Sequence, residues 1–178
     1  TSSSTNITAC DSYDWNDSIY TQSGTYSYIG EGNNNYSLDF DGNDDYIEVP
    51  NNSNLQLSQF TIGGWIYLSD YTQKYFILKK GDSQQRNYRL GINDDQAADG
   101  RVHFFWEENG INHGTTSNTL LNNNTWYYII AVYDADTSKL YINGILENPV
   151  IESAIPDIDN SPLFLGSMSS DHYLNGAL

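Results

Sequence analysis

The stretch NTWYYIIAVYDADTSKLYING at residues 124–144 constrains the fold more than any other. It reads as two strands joined by a polar turn. On an extended backbone Trp126, Tyr128, Ile130 and Val132 point to one side, and Tyr127, Ile129, Ala131 and Tyr133 to the other. Both sides are apolar, which predicts a strand covered on both faces in the middle of a packed sheet. The DADTS turn at 134–138 supplies side chains that hydrogen-bond their own backbone, and the second strand stops at Asn143 and Gly144, a pair that tolerates positive φ. Trp126, and likewise Trp65 in a second apolar strand at 60–68, are assigned to the core. In that second strand Phe60, Ile62, Ile66 and Leu68 share a face, with Gly64 between them.

Similar short segments recur along the chain. Strands are expected at 36–40, 46–49, 60–68, 75–80, 87–92, 101–107, 126–133, 140–143, 163–166 and 173–178, separated by Asn, Asp, Gly and Ser turns. No window keeps a helical period. The 178 residues suffice for one sandwich with a sizeable core, and 15 Tyr, 6 Phe and 4 Trp suit strands better than helices. The expected class is all-β, an antiparallel sandwich over 36–178. Residues 1–35, rich in Ser, Thr, Asn and Tyr without apolar alternation, read as a separate segment or linker, at most a small appended β-element.

Seven Lys and Arg face 23 Asp and Glu, a formal net charge of −16. That charge repels nucleic acid and anionic membrane surfaces, so nucleic-acid binding is not expected. It suits an extracellular protein that meets neutral polymers or divalent cations, and equally any acidic soluble protein. No run of about 18 apolar residues is present, so membrane insertion is not expected. Residues 1–8 lack the charged start and apolar stretch of a signal peptide, and the chain reads as a mature module of something larger. Cys10 is the sole cysteine, which excludes a disulfide within the chain.

The ordered series SLDFDGNDDYIEVP (37–50), FTIGGWIYL (60–68), ILKKGD (77–82), YRLGI (88–92), TWYYIIAVYD (125–134), LYINGIL (140–146) and PLFLGS (162–167) resembles the laminin-G-like, concanavalin-A-like jelly roll. Within it the series is similar to the bacterial three-part laminin-G/pentraxin-like domains. The resemblance implies two antiparallel sheets of six or seven strands packed face to face, a calcium ion at one edge in many members, and adhesion or binding more often than catalysis. In that family a further strand follows the Asn-Gly of the NGAL segment, whereas this sequence stops at Leu178. An unfilled sheet position is therefore expected.

The preceding ACDSYDWNDSIYTQSGTY (9–26) is similar to a surface-protein repeat of gliding Bacteroidota. That similarity implies type IX export, a secreted cell-surface location and further modules on the same long chain. The repeat's second cysteine is absent, which leaves Cys10 without its expected partner.

The acidic run at 39–45 is the candidate metal site. Calcium takes six to eight hard oxygens at about 2.3–2.6 Å, and Asp41, Asn43, Asp44 and Asp45 can offer carboxylate and amide oxygens. An EF-hand is excluded, since the twelfth position from Asp39 is Pro50 where a bidentate Glu is required. Asp41 and Asp45 match the family's Phe-Asp-Gly-x-x-Asp-Tyr pattern, and the same residues serve equally as turn formers. For glycans, a sugar's C–H face stacks on an aromatic ring while neighbouring amides satisfy its hydroxyls. Tyr71, Tyr75 and Trp106, with Asn109 and Asn112 beside the last, are the candidates, against the general preference of strand aromatics for the core.

Glycoside hydrolysis, the rival activity of this fold, needs two carboxylates across one cleft, alternating along a strand. Glu107 and Glu108 are adjacent, and Glu147 and Glu152 are separated by Pro149. His103, His113 and His172 show no metal spacing, and no Gly-x-Ser-x-Gly occurs. His103 is expected to pack in its strand. The expected function is a non-catalytic adhesion or carbohydrate-binding module with a glycan or cell-surface protein as partner; a hydrolase and a ligand-free spacer are the alternatives.

Overall fold

The computed structural model describes residues 36–81, 86–94, 98–167 and 171–178, together with the backbone of 13–15 and 18–20. The chain divides into two units, Thr1–Tyr36 and Ser37–Leu178. In the first, β1 (Tyr13–Trp15) pairs antiparallel with β2 (Ser18–Tyr20). Cys10 and the rest of the 9–26 segment lie outside the described residues.

The second unit is an antiparallel two-sheet sandwich, and its only described helical element is a 3-10 turn at Ser53–Leu55. Its strands are β3 (Asp39–Asp41), β4 (Ile47–Val49), β5 (Phe60–Leu68), β6 (Tyr75–Gly81), β7 (Arg86–Ile92), β8 (Arg101–Glu108), β9 (Ile111–Leu120), β10 (Thr125–Tyr133), β11 (Thr137–Ile142), β12 (Ile145–Leu146), β13 (Val150–Ile151), β14 (Leu163–Leu165) and β15 (Asn175–Ala177). One sheet runs β12-β11-β10-β5-β15-β3 with β13 also on β11, making seven strands; the other runs β4-β14-β6-β7-β8-β9. The expected jelly-roll class is thereby observed.

The inner faces meet in an aromatic core. Trp106 of β8 lies 4.2 Å from Tyr133 of β10 across the two sheets, and Phe60 of β5 packs 4.8 Å from Tyr88 and 5.7 Å from Phe104. Tyr127, Ile129, Ala131 and Tyr133 are buried here, as are Ile66 and Leu68. β-strand alternation then fixes where the remaining residues of β5 and β10 go.

Three expectations are corrected. β10 is covered on one face only: Trp126 and Tyr128 are exposed at 42% and 38%, and Ile130 and Val132 are half-buried. Trp65, assigned to the core from its aromaticity, is 57% exposed, because Ile66 and Leu68 take the inner face and their neighbours must take the outer one. β9 was not foreseen. Its residues INHGTTSNTL lack apolar alternation, but Asn109 and Gly110, at φ 52° and 79°, join it to β8 in a two-residue turn of the kind that favours Asn-Gly.

β15 lies between β5 and β3, with Gly176 opposite Leu68 and Ala177 opposite Tyr67. Gly176 is required there, since a Cβ would stand 1.9 Å from the Tyr67 carbonyl oxygen. β10 pairs with β5 from Phe60 to Leu68, while β15 reaches only its last two residues. Among the described residues no strand pairs with the rest of that side of β5.

Candidate functional site

The outer face of the seven-stranded sheet carries an exposed aromatic platform. In the pairing register Trp65 stands opposite Tyr128 and Tyr67 opposite Trp126. The rings follow the backbone: Trp65 and Tyr128 are 5.3 Å apart at 42°, Tyr67 and Trp126 5.4 Å apart at 46°. Such tilted pairs contribute roughly 0.5–1.5 kcal/mol beyond area burial. Asn143 and Gly144, the turn between β11 and β12 at φ 51° and 81°, close one side. Asn143 accepts the Tyr128 backbone N–H at 2.8 Å through Oδ1 and donates its own N–H to the Tyr128 carbonyl at 2.8 Å. The Tyr67 hydroxyl donates to Asn124 Oδ1 at 3.0 Å. Trp65, Trp126, Tyr128, Asn143 and Gly144 together line an open depression of about 490 Å³. Rigid rings flanked by amides make a surface that can stack on a sugar and hydrogen-bond its hydroxyls.

The residues proposed from sequence for glycan stacking lie elsewhere. Trp106 is fully buried, because it shares the inner face of β8 with Val102 and Phe104, and Tyr75 is buried in the same core. Neither can meet a ligand at the surface. Tyr71 is partly buried against the core, and its carbonyl accepts from the Asn93 side chain. Asn109 forms the β8–β9 turn, its N–H donating to Asp157 Oδ1 at 3.1 Å, and Asn112 Oδ1 accepts from Arg89 Nη2 at 2.9 Å. The structure does not bring these five together into one site. The signal that would have found the platform was alternation: residues flanking Ile66 and facing away from Ile129 had to be Trp65 and Tyr128.

The acidic loop between β3 and β4 does converge. One carboxylate oxygen each of Asp41, Asp44 and Asp45 lies within 4.8 Å of the others, all three exposed. Asp41 organises the loop: Oδ1 accepts the Asn43 N–H at 2.8 Å, Oδ2 accepts Asn43 Nδ2 at 3.1 Å, and its own N–H donates to Asp45 Oδ2 at 3.1 Å. The Asn43 side-chain and backbone hydrogen bonds hold the Asp41 carboxyl below its ordinary range. Gly42, at φ 81°, permits the turn. The donor set is all hard oxygen, which fits calcium chemistry.

Each carboxylate weighed for hydrolysis is engaged in structure. Glu107 lies 3.8 Å from Arg89 Nη1, and Glu108 Oε1 accepts the Ile155 N–H at 2.8 Å. Glu147 accepts the Asn118 and Thr119 N–H groups at 2.8 and 3.0 Å. Glu152 meets His113 Nδ1 at 3.1 Å and accepts from Ser138 Oγ at 3.0 Å. His103 is buried in β8, with Nδ1 3.1 Å from Thr116 Oγ1.

Residues 41–178 match Laminin_G_3, described as the concanavalin A-like lectin/glucanases superfamily. The chain belongs to this family. No curated protein matches it in sequence. Among solved structures it is similar to the CBM40 module of a Ruminococcus gnavus IT-sialidase bound to α2,3-sialyllactose (TM-score 0.61, 14% identity, covering 80% of this chain and 88% of that one). It is also similar to domain 4 of AbnA, a GH43 extracellular arabinanase from Geobacillus stearothermophilus, in complex with arabinotriose (TM-score 0.62, 18% identity, 88% and 73%). A third is the LG4-5 pair of the mouse laminin α1 chain (TM-score 0.56, 12% identity, 77% of this chain and 38% of that one). At these identities the likeness is one of fold.

Proposed function

We propose that this Laminin_G_3 chain is a non-catalytic carbohydrate-binding module. The observation that carries the reading is the exposed platform of Trp65, Trp126 and Tyr128 with the amide of Asn143 at its edge. Fold neighbours that bind sialyllactose and arabinotriose support it, as does the engagement of every weighed carboxylate in local structure. The reading extends to a secreted, cell-surface adhesive chain with other modules and a glycan or cell-surface protein as partner, and what supports this extension is the resemblance of residues 9–26 to a Bacteroidota surface repeat.

A glycan array combined with a reducing-end release assay tests this. Binding without hydrolysis is the expected outcome; hydrolysis would favour the glucanase alternative, and a blank on both would favour the spacer.

The reading includes calcium at the rim, held by Asp41, Asp44 and Asp45 with the Asn43 amide. An ion that binds only the folded state adds RT ln(1 + [L]/Kd), about 2.7 kcal/mol at a hundredfold excess over Kd. Millimolar calcium should raise Tm and a chelator should reverse the rise. A calcium response that persists undiminished in Asp41→Ala would move the ion elsewhere.

A further inference from the structure

We infer that the aromatic platform takes a neutral oligosaccharide chain spanning at least two sugar units, laid across β5 and β10, and discriminates against uronate-bearing chains. The inference rests on the carbohydrate-binding reading and specifies its ligand.

Length follows from register. Trp65 on β5 pairs with Tyr128 on β10, so Trp126, two residues away, is its diagonal neighbour. Diagonal positions on adjacent strands lie about 7–8 Å apart, too far for both indoles to stack on one pyranose. Each row also holds a tyrosine, so two successive sugars each meet a tilted Trp–Tyr pair. Gly144 leaves open space at the depression's edge, with nothing within 4 Å of where a Cβ would stand, so the chain can extend past it.

Neutrality follows from charge. Of the residues in the seven strands of this sheet, Lys139 is the single cation. Its ammonium is 2.5 Å from Asp134 Oδ2 and opposes Val132 rather than either Trp–Tyr row. On the other side, the row Trp126–Tyr67–Ala177 continues in register to Asp39, an exposed carboxylate. Among the described residues of this sheet a ligand carboxylate therefore finds no free cation and a like charge on the same face, in a chain of net charge −16. At the depression's edge stands the Asn143 side chain, and Asn124 accepts from the Tyr67 hydroxyl beside the second row; both are amides suited to hydroxyls.

The test is titration calorimetry with neutral tetrasaccharides (cello-, xylo-, manno- and arabino-oligosaccharides), their monosaccharides and tetragalacturonate, at low and physiological salt. At least one neutral tetrasaccharide should bind, tenfold or more tighter than its monosaccharide, with little salt dependence. Tetragalacturonate should bind at least tenfold more weakly, the gap narrowing as salt screens repulsion. Trp65→Ala and Trp126→Ala should each weaken binding tenfold or more, with folding checked by Tm. Quenching or shift of tryptophan fluorescence on ligand addition to the unaltered protein gives a second readout. Equal or tighter binding of tetragalacturonate overturns neutrality. Binding that both tryptophan variants leave unchanged overturns the platform while sparing the carbohydrate reading. Failure of every glycan, on this panel and on the array, overturns both.

Discussion

The two outer faces of the sandwich obey the same pleat and are built from opposite chemistry. On the seven-stranded sheet the outward residues of β5 and β10 include the exposed aromatics Trp65, Trp126 and Tyr128, with no ion pair among them. On the six-stranded sheet one outward row reads Glu48, Phe164, Lys79, Arg89, Phe105 and Gly114 across all six strands. There Lys79 and Arg89 are buried, at 2% and 4% exposure. Arg89 is held from several sides. Its Nε donates to Asp94 Oδ2 at 2.6 Å, Nη2 donates to Asn112 at 2.9 Å, and its guanidinium lies 5.2 Å over the Phe105 ring. Lys74 pairs with the same Asp94. One face spends its polar groups on itself; the other leaves its rings available. An outward position is therefore not by itself a binding position.

The largest effect should come from breaking the charged face. Asp94→Asn leaves a buried guanidinium without its nearest carboxylate, a change that costs about 3–5 kcal/mol when a buried pair loses one member. Urea unfolding measures it, and a loss under about 1 kcal/mol would mean the network is solvated and the contrast between faces is false. Proton linkage gives the same contrast another form. Burial alone would raise the Asp94 carboxyl, but Arg89 and Lys74 outweigh it and hold it low. A carboxyl depressed in the folded state stabilises fully above its unfolded pKa, about 3.9, and that stability is lost as pH falls through the folded value. Stability should therefore decline below about pH 4, and Asp94→Asn should flatten the decline.

The next effect is steric. Gly91 faces outward beside His103 on the six-stranded sheet, and a Cβ there would stand 2.8 Å from the Tyr75 carbonyl oxygen. Gly91→Ala should cost about 1–3 kcal/mol, as overpacking usually does. Unchanged Tm in the variant would show that the bulged pairing of β6 with β7 gives way freely.

What is legible in the sequence follows how local the signal is, not which sheet carries it. Strand positions are legible because apolar alternation and Asn, Asp and Gly turns are local signals, and β5 spans the expected Phe60–Leu68. β9 is illegible because its buried residues are Thr115 and Ser117, with His113 against Trp106, rather than large apolar groups. The platform is hidden for a different reason: aromaticity favours the core in general, whereas the parity of Ile66 and Leu68 fixes which side Trp65 has to face. Trp106 was misplaced by the same preference in reverse, despite its parity with Phe104. The Arg89–Asp94–Asn112 network joins β7, the loop after it and β9, and no spacing in the sequence announces such a meeting.

The smallest expected effect is also the sharpest test of the comparison. If the aromatic face is open to water, Trp65→Thr removes a ring that is 57% exposed and coupled mainly to Tyr128. Threonine, being β-branched, favours a strand as tryptophan does, and a cross-strand pair contributes roughly 0.2–1 kcal/mol. The loss should then stay below about 1 kcal/mol, against about 3–5 kcal/mol for a core aromatic such as Phe104 changed to Ala. Equilibrium unfolding of both variants decides it. A Trp65→Thr cost as large as the core value would mean that this face is covered in solution, and the opposition between an engaged face and an available one would fail where it matters for binding. A small cost with intact folding leaves the ring free to stack, because a residue that contributes little to stability can be kept for what it touches outside the chain.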